Sequence, residues 1–173
     1  EEGGEEYIRQ IQKASQDAVD ITMTAQEVTE MLLMPEADLT PVSLGRELER
    51  EINDIRSSHS DAVVTVDEQL SEVKVMADNM LNSIFRNLLK NAIVHNDKSV
   101  PKVTVTTERS DGMVGVTIAD NGPGIPDDLK EKIFEKGSQG LGSEGTGLGL
   151  YLVDTLVDRY GGDVRVKDND PEG

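Results

Sequence analysis

The chain has no cysteine and no tryptophan, and only three Tyr and two Phe occur among its 173 residues. The lack of cysteine excludes disulfides, thiolate zinc sites and cysteine nucleophiles. No run approaches the roughly 18 apolar residues of a membrane-spanning helix, and no charged-then-apolar leader is present. These absences predict a soluble, cytoplasmic piece, and any membrane segment of a longer parent protein would lie outside it. Its core must be built from Val, Ile, Leu and Ala.

Positive charge is also scarce, because 17 Lys and Arg residues face 34 Asp and Glu residues, for a net charge of −17. Such a chain repels nucleic-acid backbones and anionic membranes, so neither is expected as a partner. The acids are spread along the whole sequence, which favours a solvated surface over a binding face. The excess resembles that of acidic proteins in halophilic archaea, whose self-repulsion is screened by concentrated salt. We therefore hypothesise a salt-adapted protein.

Apolar spacing predicts a long helix over Glu5–Met34, because Ile8, Ile11, Ala18, Ala25, Val28 and Leu32 form one stripe. A lone helix of this length is marginal in water and needs a partner. "MPEADLTP", residues 34–41, is typical of a linker. Further helices are expected over Leu44–Ser57, over Asn79–His95 with Asp78 as cap, near Asp127–Phe134, and from Thr146 to a stop at Gly161-Gly162. Strands are expected at Ala62–Asp67, Val73–Asp78 and Asp163–Asp168, with a hairpin around Ser110-Asp111-Gly112.

This order predicts an α+β fold, a mixed sheet covered by helices on one face, preceded by the long helix.

The stretch "TIADNGPGIP", residues 117–126, runs a β-type segment into an acid, an amide and two glycines. The Asp120 carboxylate can accept a hydrogen bond from an exocyclic amino group such as that of adenine. Gly122 and Gly124 leave room for a flat ring against the backbone. The alternative is a strand-ending turn, since Asn-Gly and Pro-Gly are ordinary turn dipeptides. Taken alone, the stretch favours the turn.

"GTGLGL", residues 145–150, opens the last predicted helix. Free backbone N–H groups and the positive helix end favour an anion there, and glycines let phosphates approach. The alternative is a flexible loop that ends at a capped helix. The stretch is not a P-loop, because no Gly-Lys-Ser/Thr follows, and no strand leads directly into it as a Rossmann fingerprint requires.

"NLLKNAIVHN", residues 87–96, places Asn87, Asn91 and His95 four residues apart on one helical face. Amide oxygens are hard, neutral ligands that can hold Mg²⁺, which otherwise keeps water and phosphate oxygens. The alternative is an exposed polar face, the better interpretation for any single Asn. A stripe of three residues beside two glycine loops favours a site.

These motifs, in this order, resemble those of the ATP-binding domain of sensor histidine kinases, in the gyrase, chaperone, histidine kinase and MutL superfamily. Residues 87–95 are similar to the asparagine box, and "DNGPGI" to the first glycine box. "IFEKG" resembles the phenylalanine box and "GTGLGL" the second glycine box. The resemblance extends from about Thr40 to Glu172 and implies a Bergerat-type fold, a two-layer α/β sandwich.

By this resemblance Asn91 would bind Mg²⁺, Asp120 would bind the adenine amino group, and residues 137–145 would form a mobile lid. Lys136 and Lys90 would share the phosphate charge with the metal. The ATP-binding positions implied are Asn87, Asn91, His95, Asp120, Gly122, Gly124, Ile125, Lys136, Gly145, Thr146, Gly147, Leu148, Gly149 and Leu150. ATP-hydrolysing relatives usually carry a Glu general base at the position of Asn87. Asn87 is therefore the residue at the catalytic position of this chain. Since an amide cannot take up a proton as a Glu base does, it favours the kinase branch.

The resemblance divides the chain into residues 1–37, the second helix of a dimerisation hairpin with a linker, and residues 38–173, the catalytic domain without its usual final strand. It implies transfer of the γ-phosphoryl group of ATP to a histidine, relay to a response regulator aspartate, and a homodimer. No phosphoacceptor histidine is expected in this chain, because neither His59 nor His95 fits, so this piece alone should not autophosphorylate. The alternatives are an anti-sigma-type Ser/Thr kinase and a nucleotide-sensing module on the same fold. Departures from the family pattern are Val94, where many members have a basic residue, and Gly137 and Gln139 in the phenylalanine box.

Overall fold

The computed structural model describes residues 2–33, 39–66, 73–138 and 147–169. None of the helices in these ranges combines the length and apolar content needed to cross a bilayer. The elements follow in the order α1 (Glu2–Leu33), β1 (Thr40–Ser43), α2 (Leu44–Ser58), β2 (Val63–Val66), β3 (Lys74–Ala77), α3 (Leu81–Val94), β4 (Lys102–Ser110), β5 (Met113–Asp120), α4 (Asp127–Lys130), a 3-10 turn (Lys132–Phe134) and α5 (Gly149–Arg159).

The predicted long N-terminal helix is present as α1, and among the described residues its buried side chains lie in its C-terminal part. Val28 and Met31 are buried, whereas Tyr7, Ile8 and Ile11 are more than half exposed. Near the buried end, the Glu27 carboxylate accepts a hydrogen bond from Ser83 Oγ at 2.9 Å and pairs with the Arg86 guanidinium on α3. The apolar stripe of α1 therefore continues towards its N-terminus without cover from the described residues.

A mixed sheet with the strand order β2-β4-β5 forms one layer of the fold. β2 pairs with β4 in parallel, and β4 pairs with β5 in antiparallel register from Val103–Asp120 to Ser110–Met113. The hairpin turn is confirmed, and its two central residues, Asp111 and Gly112, have φ of 50° and 78°, as a tight two-residue loop requires. β1 and β3 form a separate antiparallel pair.

Helices α2, α3 and α5 form the second layer, as the α+β prediction with helices on one face requires. Four leucines at this layer are fully buried, Leu48 on α2, Leu89 on α3, and Leu152 and Leu156 on α5. They belong to one core with the inward-facing valines of β2 and β4. Of the face predicted for α3, Leu81, Ile84, Phe85 and Leu89 are buried and Leu88 is half-buried.

The prediction that Asp78 caps α3 is wrong, because α3 begins three residues later and the carboxylate has partners elsewhere in the fold. Asp78 Oδ1 accepts hydrogen bonds from the Met80 N–H at 2.9 Å and from the Tyr160 hydroxyl at 2.5 Å. Arg159 Nε lies 3.4 Å from Asp78 Oδ2. The buried Asp78 carboxylate thus ties the start of α3 to the end of α5.

The predicted stop of α5 is confirmed at Gly161-Gly162. Gly161 has a φ of 73°, and the Gly162 N–H donates to the Val157 carbonyl at 2.9 Å. This left-handed residue and its return hydrogen bond are the usual way in which a helix ends at glycine.

The prediction of a strand over Asp163–Asp168 is wrong, since this segment joins no ladder among the described residues. Val164 and Val166 are half-buried between exposed neighbours, so the period-2 pattern reports alternate burial and not backbone pairing. Side chains hold the segment instead: Asp168 pairs with Lys130 at 2.6 Å, and Asn169 Nδ2 donates to the Asp120 carbonyl at 2.5 Å.

Candidate functional site

The predicted polar stripe lies on α3, where Asn87 and Asn91 are half-buried and His95 is exposed. Asn87 Nδ2 donates to the Ser83 carbonyl one turn earlier, at 2.8 Å. The side chains of Asn91 and His95 have no hydrogen-bond partner within the described part of the chain. The half-buried Asn91 therefore offers a neutral amide oxygen that could serve as a ligand for a cation.

The N-terminus of α5 lies directly against Asn87. A Cβ on Gly149, the first residue of α5, would lie 2.6 Å from Asn87 Oδ1, so only glycine fits there without moving the amide. The first N–H groups of a helix have no intrahelical partner, and the helix end carries partial positive charge. The structure therefore brings Gly149, within the half-buried stretch 147–150, against Asn87 of the polar stripe. Gly145 and Thr146, also predicted to contact ATP, lie outside the described residues, as does most of the predicted lid.

Gly147 makes the tightest backbone contact at this end of the site. Its φ is 65°, and a Cβ there would lie 2.3 Å from the Ser138 carbonyl oxygen. The Gly137 N–H donates to the Gly147 carbonyl at 3.2 Å, so these two described residues are hydrogen-bonded to each other. Gly137 has a φ of 78°, a left-handed conformation that strains other residues. This conformation gives a physical reason for glycine at the phenylalanine-box position where an aromatic residue was expected.

Asp120 lies at the end of β5, where the sequence predicted an adenine-binding carboxylate. Its Oδ1 accepts a hydrogen bond from the Gly122 N–H at 2.8 Å, and a Cβ on Gly122 would lie 2.7 Å from the same oxygen. Asp120 Oδ2 has no hydrogen-bond partner among the described residues. One carboxylate oxygen is thus fixed by the backbone while the other can accept a hydrogen bond from a ligand. Gly124, with a φ of 74°, and the half-buried Ile125 complete the loop.

Two asparagines that were not predicted to be site residues join this loop to α3. Asn96 Nδ2 donates to Asn121 Oδ1 at 2.9 Å, and the Lys102 N–H donates to the same oxygen at 2.8 Å. Asn121 lies within the stretch that resembles the first glycine box, where it forms an ordinary Asn-Gly turn dipeptide, and Asn96 directly follows the residues that resemble the asparagine box. These two positions, one inside a motif and one directly after a motif, are the only sequence signal for the pair.

The predicted phosphate contact of Lys136 stays a prediction. The side chain is exposed, and its Nζ lies 6.0 Å from the ring centroid of Tyr151 in the first turn of α5. Nearby, the Lys130 ammonium binds Asp127 at 2.5 Å as well as Asp168. These hydrogen bonds raise the pKa of Lys130, and its bond to Asp127 lowers the pKa of that carboxyl group.

No group of three His, Asp or Glu side chains suited to a metal occurs in the described ranges. Asn91, a neutral amide, remains the candidate metal ligand from the sequence.

Residues 77–173 match the protein family described as the histidine kinase-, DNA gyrase B-, and HSP90-like ATPases. The chain belongs to this family. Its relatives in this family include sensor histidine kinases, and this chain contains a histidine kinase-type ATP-binding catalytic domain. The matched range contains both glycine boxes and the whole of α3.

Two relatives from this family cover most of the chain. The sensor histidine kinase Hik2 of Synechocystis sp. is 34% identical over 162 residues, which are 83% of this chain and 37% of Hik2. The structure of the mycobacterial sensor histidine kinase MprB is 30% identical, with a TM-score of 0.68 over 78% of this chain and 89% of that one. The chain thus spans little more than a third of the length of Hik2.

A third likeness includes the N-terminal helix. The structure of full-length ShkA in complex with AMPPNP has a TM-score of 0.71 over 95% of this chain and 36% of that one. At 23% identity it supports the fold alone.

Proposed function

We propose that this domain binds Mg-ATP between α3, the loop after β5 and the start of α5, and transfers the γ-phosphoryl group to a histidine on a helix upstream of α1. A response regulator would then take the phosphoryl group onto an aspartate. The observation that carries the proposal is that α3 contacts both the start of α5 and the loop after β5. Asn87, on its second turn, touches the start of α5 at Gly149, and Asn96, just past its end, holds the loop of Asp120. Asn91 lies between these two contacts.

Within this arrangement, Asp120 Oδ2 would accept the adenine amino group, with Gly122, Gly124 and Ile125 beside the ring. The first N–H groups of α5, from Gly149 onwards, would meet the phosphates, because a helix N-terminus favours anions. Membership of the histidine kinase-, DNA gyrase B-, and HSP90-like ATPase family supports a nucleoside triphosphate as the ligand.

Asn91 would hold Mg²⁺ through its amide oxygen, which has no other partner in the described part of the chain. A bound Mg²⁺ supplies charge neutralisation for the phosphate oxygens and keeps most of its ligand sites for them and for water.

In the transfer step, the bond between the γ-phosphorus and the bridging oxygen breaks, and ADP leaves with the bonding electrons. A P–N bond forms to the imidazole of the acceptor, whose ring proton passes to solvent. This chemistry asks the protein mainly for positioning and charge stabilisation. Asn87 suits it, since its Nδ2 already donates to Ser83 and an amide does not activate water.

We further propose that residues 1–37 are part of a dimerisation hairpin and that residues 38–173 form the catalytic domain. The exposed Tyr7, Ile8 and Ile11 on α1 would be covered by a second copy of this helix or by the preceding one. An uncovered helix of 32 residues with this apolar stripe is expected to associate. The family assignment supports a response regulator as a partner, and the exposed surface of α1 supports a homodimer.

The test is calorimetric titration of Mg-ATP into the wild type, Asp120→Asn and the control Asp128→Asn, in concentrated KCl. Asp128 is an exposed carboxylate on α4, so its change matches the charge without touching the site. We expect binding to the wild type and the control and its loss in Asp120→Asn, because the amide presents a donor or a weaker acceptor to adenine. A folded wild type that binds no nucleotide would contradict the proposal.

The kinase step needs a second measurement, with ATP labelled on its γ-phosphate and a separately purified hairpin that carries the acceptor histidine. We expect label on the hairpin that is lost in acid and retained in base, as a phosphoramidate is. Label stable in acid would point instead to a Ser/Thr kinase, and nucleotide binding without transfer to a nucleotide-sensing module.

A further inference from the structure

We infer that the side chains of Asn96 and Asn121 form a clamp that positions the Asp120 carboxylate and so makes the site discriminate adenine from guanine. The inference rests on the proposed nucleotide function and names two positioning residues for it. We call the pair the amide clamp. Neither residue needs to touch the nucleotide for this role.

Asn121 has a partner for each of its polar side-chain atoms. Its Oδ1 accepts from Asn96 Nδ2 at 2.9 Å and from the Lys102 N–H at 2.8 Å, and its Nδ2 donates to the Val100 carbonyl at 3.3 Å. The Asn121 N–H also donates to the Lys102 carbonyl, at 3.2 Å. With these bonds made, the side chain is not placed to bind a ligand, so its contribution is to fix the loop that carries it.

Asn96 is fixed to the end of α3 in the same way. Its Nδ2 also donates to the Ala92 carbonyl at 3.3 Å, and its Oδ1 accepts from the Lys98 N–H at 3.0 Å. A Cβ on Gly122 would lie 3.5 Å from Asn96 Nδ2 and 3.6 Å from Asn96 Cα, so the loop packs closely on this residue. Since the Gly122 N–H donates to Asp120 Oδ1, the carboxylate is linked to the end of α3 by this hydrogen bond and by the packing of Gly122 on Asn96.

The consequence for specificity follows from the chemistry of the two purines. At position 6 adenine presents an amino donor, whereas guanine presents a carbonyl acceptor. A carboxylate held in place accepts a hydrogen bond from the amino group of adenine and repels the carbonyl oxygen of guanine. A carboxylate free to swing with its loop would lose part of the hydrogen bond to adenine and could turn away from guanine. Polar sites discriminate in this way only when the mismatched group cannot be accommodated.

The test is Asn96→Asp, which keeps the shape of the side chain and the acceptor for the Lys98 N–H. It replaces the Nδ2 donor by an oxygen facing Asn121 Oδ1, so two acceptors meet where a hydrogen bond was. We expect the Kd for Mg-ATP to rise about tenfold and the preference for ATP over GTP to fall by about the same factor. The Kd for Mg-tripolyphosphate, which has no base, should change less than about twofold. Asn53→Asp, the same charge change at an exposed position of α2, is the matched control and should alter none of these.

A folded Asn96→Asp with the nucleotide preference of the wild type would overturn the inference, and so would equal losses for ATP and tripolyphosphate. If Asp120→Asn abolishes ATP binding while Asn96→Asp leaves it intact, only the clamp fails. If the wild type binds no nucleotide, the proposed function fails and the inference with it. Should Asn96→Asp not fold, Asn96→Ala is measured in the same way. It removes the amide without opposing two acceptors, and it should lower the ATP to GTP preference in the same direction.

Discussion

Replacing Gly147 by alanine should weaken nucleotide binding as well as lower the stability of the fold. A Cβ at this position would lie 2.3 Å from the Ser138 carbonyl oxygen and 2.6 Å from the Gly137 carbonyl carbon. Both are backbone atoms, so no side-chain rotation relieves the contact, and the two segments must move apart by about 0.7 Å to reach a separation of 3.0 Å. That movement opens the hydrogen bond from the Gly137 N–H to the Gly147 carbonyl and displaces the residues that lead into α5.

The size of the effect has two parts that a control can separate. A left-handed φ costs alanine about 1 kcal/mol wherever it occurs, which lowers Tm by about 3 °C in a chain of this size. Gly112, with a φ of 78° and no atom within 4 Å of its Cβ position, carries only this part. Gly147→Ala adds the displacement at the phosphate end, and a shift approaching 1 Å in a positioned site can cost tenfold or more, about 1.4 kcal/mol.

The assay is the Kd for Mg-ATP by calorimetry, with Tm measured on the same samples. We expect Gly112→Ala to lose about 3 °C in Tm and to bind as the wild type does. Gly147→Ala should remain folded and bind at least about tenfold more weakly. Equal affinities for the two variants would refute the argument that the Gly137–Gly147 contact positions the start of α5.

Three further predictions concern stability. Burial and the bond to Asp78 raise the pKa of the Tyr160 hydroxyl, so Tyr160→Phe should cost about 2 kcal/mol in urea unfolding below pH 10. This contribution is lost as the pH rises from about 10 through the folded-state pKa. The free energies of unfolding of the wild type and Tyr160→Phe should therefore converge in alkali. Burial raises the pKa of the Glu51 carboxyl group, whose Oε1 accepts a hydrogen bond from Asn82 Nδ2 at 3.2 Å. Because this pKa is raised in the folded state, the free energy of unfolding falls as the pH rises above about 4.3, the ordinary pKa of a glutamate. Glu51→Gln keeps the acceptor without the charge, so it should raise the urea midpoint at pH 7 and leave it unchanged near pH 4. Finally, a net charge of −17 predicts that Tm rises between about 0.1 M and about 2 M KCl, and a falling Tm would contradict the salt-adaptation hypothesis.

Much of the fold could be predicted because the apolar spacing along α1, and the burial patterns along α3 and the β4–β5 hairpin, agree with local turn and stop signals. The predictions failed where a residue has its partners far away in the sequence. Asp78 resembles a helix cap locally, yet Tyr160 and Arg159, some eighty residues later, take its carboxylate. Alternation over Asp163–Asp168 predicted a strand, but alternation reports only which side chains are buried. Whether a neighbouring edge pairs with the segment is decided by the rest of the fold.

The candidate site divides in the same way. Residues that would touch a ligand, such as Asp120 and Asn91, have side chains whose chemistry can be interpreted from the motif itself. The amide clamp could not be predicted from the sequence, because a turn is a sufficient explanation for an Asn before a glycine. In addition, nothing in the sequence relates Asn121 to Asn96, 25 positions earlier. Its significance depends on one oxygen that receives both a strand N–H and a helix-end amide. Because the hydrogen bonds of the amide clamp hold the loop that carries Asp120, the site should tolerate few changes at Asn96 and Asn121. The Asn96→Asp experiment measures that tolerance directly.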